Sequence, residues 1–208
     1  MKYPKLRELK EAITAIFKGP YTNKFPYGPH TAMPGFRGRP TPSDKYCIAC
    51  GACAIVCPPG AITVVEDLNA QPPIRELVWN YDVCIYCGQC ERLCTTEKGV
   101  TLTQEYDLAT YDRSKSKDGV KKELVVCECC HAVIAPKAQL LWAARKLGPL
   151  SSGNFNLTFT VQKELKISDD IQTGMPDNNP STRANLYRLL CPKCRHVVLV
   201  FNQTGKQP

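Results

Sequence analysis

Cysteine carries the chemistry of this sequence: 13 of its 208 residues, bunched at two- and three-residue spacings. Cys47-Ile48-Ala49-Cys50-Gly51-Ala52-Cys53-Ala54-Ile55-Val56-Cys57 recurs as Cys84-Ile85-Tyr86-Cys87-Gly88-Gln89-Cys90-Glu91-Arg92-Leu93-Cys94. A [4Fe–4S] cubane needs four thiolates converging on its iron corners. In C-x2-C-x2-C-x3-C the two-residue gaps wrap three of them around one cluster, and the fourth cysteine of each run ligates the other cluster. The expected sets are therefore Cys47, Cys50, Cys53 and Cys94 for one cluster, and Cys84, Cys87, Cys90 and Cys57 for the other. Gly51 and Gly88 suit close backbone approach. Ile48, Ile55, Ile62, Ile85 and Leu93 are expected to exclude water from the clusters. Pro58 follows Cys57, whereas Thr95 follows Cys94, and the link from Cys94 to Gly99 is two residues longer than that from Cys57 to Gly60. The pattern leaves the potentials anywhere in a range of roughly −700 to +450 mV.

The other five cysteines lie in the tail. Cys127, Cys130, Cys191 and Cys194 form two C-x2-C knuckles, the arrangement of a closed four-thiolate zinc site, and Cys129 is the odd thiol. A rubredoxin-like iron at the same sulfurs is the alternative. No catalytic residue is expected: His30, His131 and His196 are scattered, and two of them merely follow cysteine pairs.

The elements that must position these ligands can be read around them. Leu6, Leu9, Ile13, Ile16 and Phe17 make one apolar stripe at helical spacing, with Pro4 before it and Gly19-Pro20 after. An extended arm rich in proline and glycine follows to residue 44, so residues 1–44 read as a helix and arm. Residues 45–110 read as a two-[4Fe–4S] ferredoxin-like domain. Its short β-like runs are Ala61 to Val65 and Val100 to Thr103, and between the repeats Leu77, Trp79 and Tyr81 alternate as on a strand over Ile74 to Tyr81. Polar, Lys-rich residues 111–122 mark a boundary, and residues 111–208 read as a four-cysteine metal-binding, zinc-ribbon-like extension. That tail shows a helix from Pro136 to Leu147, a period-two alternation at Phe155, Leu157, Phe159 and Val161, a polar loop from Asp169 to Thr182, and an apolar strand from Val197 to Phe201. The fold class is α+β.

Composition narrows the function. Hydrophobic residues at 43% and charged residues at 22% describe a globular chain. No run of the length a transmembrane helix needs is present, and the N-terminus lacks the unbroken apolar stretch of a secretory leader. A reduced, cytosolic setting follows from cysteines spaced for metal rather than disulfides, where the acceptor patterns at Asn156 and Asn202 carry no meaning. The formal charge of +8 divides as +6, −5 and +7 over residues 1–45, 46–110 and 111–208. Two clusters and a four-thiolate zinc, each contributing about −2, bring it to roughly +2. A nucleic-acid role is not expected: no aromatic and basic stacking surface surrounds the cysteines.

The double cluster motif, the arm ending Gly35-Phe36-Arg37-Gly38-Arg39-Pro40 and the segment Thr103-Gln104-Glu105-Tyr106-Asp107-Leu108-Ala109 resemble the two-cluster ferredoxin subunit shared by respiratory complex I and membrane-bound [NiFe] hydrogenases. With the C-terminal cysteine pairs, the chain is most similar to the iron–sulfur subunits of formate hydrogenlyase and hydrogenase-4. The resemblance implies a non-catalytic electron-transfer subunit, peripheral on the cytoplasmic side of the cell membrane. It implies as partners the hydrogenase small and large subunits, membrane-arm subunits and a donor module, which could be formate dehydrogenase, carbon monoxide dehydrogenase or a ferredoxin. A complex I-type NADH or ferredoxin–quinone oxidoreductase subunit and a freestanding ferredoxin are the alternatives; the tail counts against both.

Overall fold

The computed structural model describes residues 5–167 and 188–200. The polar loop expected from Asp169 to Thr182, Phe201 and the acceptor pattern at Asn202 lie outside them. The chain divides into two compact units, residues 1–36 and 37–208.

In the first unit, helix α1 spans Leu6–Lys18. The Glu8 carboxylate accepts the Lys5 N–H at 3.0 Å, satisfying one of the first-turn donors, and Gly19 closes the helix at φ 73°. None of its residues is buried, and Leu6, Leu9, Ile13, Ile16 and Phe17 are all exposed.

In the second unit the two cysteine runs fold alike. Each makes a loop and one helical turn, α2 (Ala52–Ile55) and α3 (Gln89–Arg92). The strand after the first run, β2 (Ile62–Asp67), pairs antiparallel with β3 (Ile74–Asn80). The strand after the second, β4 (Val100–Leu102), pairs with β1 (Pro40–Pro42), drawn from the end of the arm. The alternation in β3 behaves as expected: Leu77, Trp79 and Tyr81 turn inward and are buried with Ala49, Cys53, Ile62, Cys90 and Val100. The Tyr81 hydroxyl donates to the Pro40 carbonyl at 2.8 Å, tying the small sheet to the large one.

The large sheet continues past the cluster region. β5 (Lys117–Val126) lies antiparallel on β3, with Trp79 opposite Asp118 and Leu77 opposite Val120, and β6 (Val133–Pro136) completes the order β2-β3-β5-β6. Half of the Lys-rich boundary is thus a strand whose outward charges find partners, Lys121 with Glu76 and Lys122 with Asp44.

Helix α4 (Lys137–Leu147) follows as expected. Two tail elements differ from the expectation. Phe155–Glu164 is a helix, α5, rather than a strand. The Asn154 side chain accepts the Asn156 and Leu157 N–H groups as its N-cap. Residues at i, i+2 and i+4 include an i, i+4 pair that a helix also brings together: the Phe155 and Phe159 rings stack at 6.2 Å. Pro192–Val200 is helix α6, not a strand; Pro192 occupies the first helical position, where its missing N–H costs nothing. A second core forms around Cys127, Leu190, Cys191 and Val198.

Candidate metal centres

The two cluster loops share an uncommon backbone. Ala49 and Tyr86 both sit at φ 52°, followed by Gly51 at 80° and Gly88 at 78°. A non-glycine residue at positive φ costs on the order of 1 kcal/mol or more and persists where its surroundings fix it. Here the turn brings N–H groups back onto sulfur: Ala49 N–H to Cys47 Sγ at 3.5 Å and Tyr86 N–H to Cys84 Sγ at 3.4 Å. The left-handed glycines then open α2 and α3, which carry the buried Cys53 and Cys90.

Cys47, Cys50, Cys53 and Cys94 line one cavity; Cys57, Cys84, Cys87 and Cys90 line another. Each cavity thus gathers three cysteines of one run and the last of the other. Trp79 lines both. It is 2% exposed, and its indole N–H is a buried donor with no partner among the described residues. An orphaned buried donor costs about 1–3 kcal/mol, a cost that a sulfur acceptor in one of the two cavities Trp79 lines would offset. Burial pushes the Cys53 thiol up to about 12 and the Cys90 thiol up to about 11, so both stay protonated at neutral pH until a metal displaces the proton into solvent. Soft thiolates alone, N–H groups aimed at sulfur and an unmet donor between the cavities fit iron–sulfur clusters.

Of the five residues expected to keep water out, Ile48 and Ile62 are buried. Ile55, Ile85 and Leu93 are not, at 86%, 60% and 47% exposed. Helices of four residues turn one narrow face inward, and the cysteines occupy it. Leu77, Trp79 and Val100 line the Cys47 cavity from the sheet side instead, and Ile62 and Trp79 line the Cys84 cavity.

The tail brings Cys127, Cys130, Cys191 and Cys194 together, with all four sulfurs within 4.8 Å of one another. Bonds of about 2.3 Å to a tetrahedral zinc separate sulfurs by roughly 3.8 Å, so the set is sized for one ion. The first pair sits in the β5–β6 turn, where His131 adopts φ 56° and its N–H donates to the Cys127 carbonyl. The second pair opens α6, with the Cys194 N–H on Cys191 Sγ at 3.5 Å. Burial raises the Cys127 thiol, but N–H groups of Cys130, Cys191 and Cys129 outweigh it and bring the thiol down to about 7. Cys194 is raised, by burial and then by the neighbouring thiols. Cys129 packs beside this core without joining the four-sulfur set.

Asn156, which sequence reasoning passed over, holds the second pair. Its amide donates to the Leu190 carbonyl at 2.9 Å, and its Oδ1 accepts the Leu190 N–H at 3.3 Å and Arg195 Nη2 at 2.8 Å. Trp79 was legible as an inward strand residue but not as a wall shared by two metal cavities. None of the three histidines joins the four-sulfur set.

Residues 46–98 match the family described as 4Fe-4S dicluster domain. Formate hydrogenlyase subunit 6 of Escherichia coli (strain K12) is 30% identical over 184 residues, 86% of this chain and 84% of that protein. A subunit of the F(420)H(2) dehydrogenase of Methanosarcina mazei is 34% identical over 76 residues, 35% of this chain and 22% of that protein. Among solved structures, a chain of the membrane-bound sulfane sulfur reductase (MBS), an archaeal respiratory membrane complex, is 28% identical with a TM-score of 0.40, over 56% of this chain and 61% of that one. The similarity to the formate hydrogenlyase subunit runs well beyond the cluster domain, and this chain belongs to its family, the electron-transfer iron–sulfur subunits of membrane-bound hydrogenase-type complexes.

Proposed function

We propose that this chain relays electrons between a donor module and the small subunit of a [NiFe] hydrogenase, through two [4Fe–4S] clusters with crossed ligation. The observation that carries the reading is the pairing of each crossed cysteine set with one cavity, on either side of Trp79. When bound, each cluster accepts and releases one electron. Cys47, Cys50, Cys53 and Cys94 hold one; Cys84, Cys87, Cys90 and Cys57 hold the other. Ile48, Ile62, Leu77 and Val100 exclude water, and the Ala49 and Tyr86 N–H groups orient the first sulfur of each set.

Residues 1–44 serve assembly, 45–110 carry the electrons, and 111–208 hold a structural zinc at Cys127, Cys130, Cys191 and Cys194. The large hydrogenase subunit and the membrane arm complete the surroundings, on the cytoplasmic side. No described helix is long and apolar enough to cross a membrane, which suits a peripheral subunit. The 86% span of the formate hydrogenlyase similarity, against 35% for the F(420)H(2) dehydrogenase one, favours this reading over a complex I-type subunit. Exposed Ile55, Ile85 and Leu93 beside the clusters suit cover by neighbouring subunits.

Reconstituted protein is expected to hold about eight irons and one zinc, and when reduced to show two spin-coupled S = 1/2 centres. Cys94→Ser should perturb the same EPR signal as Cys50→Ser. If it perturbs the signal sensitive to Cys87→Ser instead, the crossed assignment is wrong; a ninth iron without zinc would reject the zinc.

A further inference from the structure

The two four-cysteine sites are not equivalent, and the difference lies where the second run departs from the first. After Cys57 the chain reads Pro58-Pro59-Gly60; after Cys94 it reads Thr95-Thr96-Glu97-Lys98-Gly99. Two prolines offer neither an N–H nor a hydroxyl. The threonines offer both, and both hydroxyls are at sulfur: Thr95 Oγ1 lies 3.3 Å from Cys50 Sγ, and Thr96 Oγ1 lies 3.4 Å from Cys94 Sγ. A metal-bound thiolate has no proton to give, so in each contact the hydroxyl is the donor.

Backbone N–H donors reach both sites, Ala49 on Cys47 and Tyr86 on Cys84, so it is the hydroxyls that distinguish them. Gly99 comes so close that a Cβ there would stand 3.0 Å from Cys94 Sγ and 2.8 Å from Thr96 Oγ1. The equivalent ligand of the other site, Cys57, accepts one N–H, from Ala61 at 3.3 Å. Among the described residues no hydroxyl reaches Cys57, Cys84, Cys87 or Cys90. The nearby Tyr86 hydroxyl is turned away and donates to the Tyr81 carbonyl.

Charge does not separate the two sites. Lys122 near Cys47 is paired with Asp44, and Arg75, which donates to the Ala49 carbonyl at 3.2 Å, is paired with Glu66. On the other side Arg37 donates to the Cys87 carbonyl at 3.0 Å, and Arg39 and Asp118 both act on Tyr81. A reduced cluster carries one more negative charge than an oxidised one, so donors and cations at its thiolates stabilise the reduced form and raise the potential.

We propose that Thr95 and Thr96 set the order of the two potentials, making the cluster on Cys47, Cys50, Cys53 and Cys94 the higher of the pair. This rests on the crossed ligand sets proposed above. An electron shared by the pair then settles on the threonine side. One electron moves, no bond forms or breaks, and no proton is transferred. The relay is thereby given a direction, with its electron-holding end at Cys50 and Cys94.

EPR-monitored redox titration of the reconstituted full-length protein tests this, with Cys50→Ser and Cys87→Ser identifying which signal belongs to which site. In the wild type, the signal altered by Cys50→Ser should have the higher midpoint. In Thr95→Val/Thr96→Val that midpoint should fall by about tenfold in reduction equilibrium, about 59 mV for a one-electron couple, while the other stays in place. Thr95→Ser/Thr96→Ser, which keeps both hydroxyls, should hold the wild-type values. No shift, an equal shift at both sites, or a wild type whose higher midpoint belongs to the Cys87 site overturns the proposal. Should the valine variant lose iron, the wild-type order decides, along with ENDOR after exchange into D2O: excess exchangeable protons at the Cys50 site support the proposal, and equal numbers at both sites refute it. Failure of the ligand assignment shows itself separately, as Cys50→Ser and Cys94→Ser perturbing different signals.

Discussion

Asn156→Ala tests how the tail builds its metal site. Asn156 lies in the first turn of α5, and alanine favours a helix more than asparagine does, so the helix itself should not suffer. What is lost is the clamp on the second cysteine pair. Leu190 is 0% exposed and precedes Cys191; without Asn156 its buried carbonyl and N–H both lose their side-chain partner, and Arg195 loses an acceptor. Unsatisfied buried groups cost about 1–3 kcal/mol each, and some relaxation toward water is available at Arg195. A total of about 3 kcal/mol is expected. Zinc binding supplies folding energy where a preformed site is absent, so that cost falls on the metal-bound state and weakens zinc binding by roughly 150-fold. Competition with a chromophoric chelator on the full-length, iron-loaded protein measures it. Asn156→Asp keeps the acceptor for Leu190 N–H and Arg195 but not the donor, and should fall between alanine and wild type. An alanine variant that binds zinc within threefold of wild type would refute the clamp.

Three further outcomes are expected. Trp79→Phe keeps the ring between the cavities and removes its N–H, so iron should stay near eight atoms per chain while at least one midpoint potential falls; Trp79→Ala, at about 3–5 kcal/mol for a lost core aromatic, should cost iron as well, and unchanged potentials in the phenylalanine variant would show that the indole N–H serves no cluster. Zinc affinity should rise with pH, because the raised Cys194 thiol must lose its proton on binding, whereas Cys127 at about 7 is already half ionised near neutrality; each displaced proton makes affinity about tenfold tighter per pH unit, and a pH-independent chelator titration between 6 and 8 would contradict this ligand set. Deleting residues 1–36, the first unit, should leave both clusters formed, since every cysteine and strand β1 remain, and abolish incorporation into the membrane complex, as scored by copurification; normal assembly would reduce α1 to local packing.

What was legible in the sequence follows the distance over which each decision is made. The cluster loops could be read because a cubane dictates ligand spacing within 11 residues, and the matched φ values of Ala49 and Tyr86 are the backbone's answer to that demand. The inward set of β3 could be read because one buried face imposes a period of two. Ile55, Ile85 and Leu93 could not, because composition does not reveal which side of a single helical turn faces the cluster. The tail misled for two local reasons: Phe155 and Phe159 satisfy both periods, and the valines after Cys194 follow a helix start fixed by Pro192 and the cysteine knuckle rather than by β propensity. The crossing of the assumed boundary at residues 111–122 was out of reach for a different reason. β5 pairs with a strand more than 30 residues earlier, and its lysines are tolerated because Glu76 on that strand and Asp44 in the turn after β1 pair with them.

That crossing bears on why the tail exists. β5 presents Val120 and Leu124 to the core, lies along the strand that carries Leu77 and Trp79, and ends at Val126, one residue before Cys127. The first ligand of the tail's metal site is therefore the direct continuation of a strand backing the cluster cavities. Both cores depend on cysteine for their centres, Cys53 and Cys90 in one and Cys127 and Cys191 in the other. A closed four-thiolate zinc at these cysteines would offer no open position for chemistry; it would fix the end of β5 and, through the ladder from Trp79 and Asp118 to Ile74 and Glu123, brace the sheet beside the cluster cavities. A relay between neighbouring subunits needs its clusters held at constant distance, and a metal-closed tail would supply that rigidity from one side of the sheet.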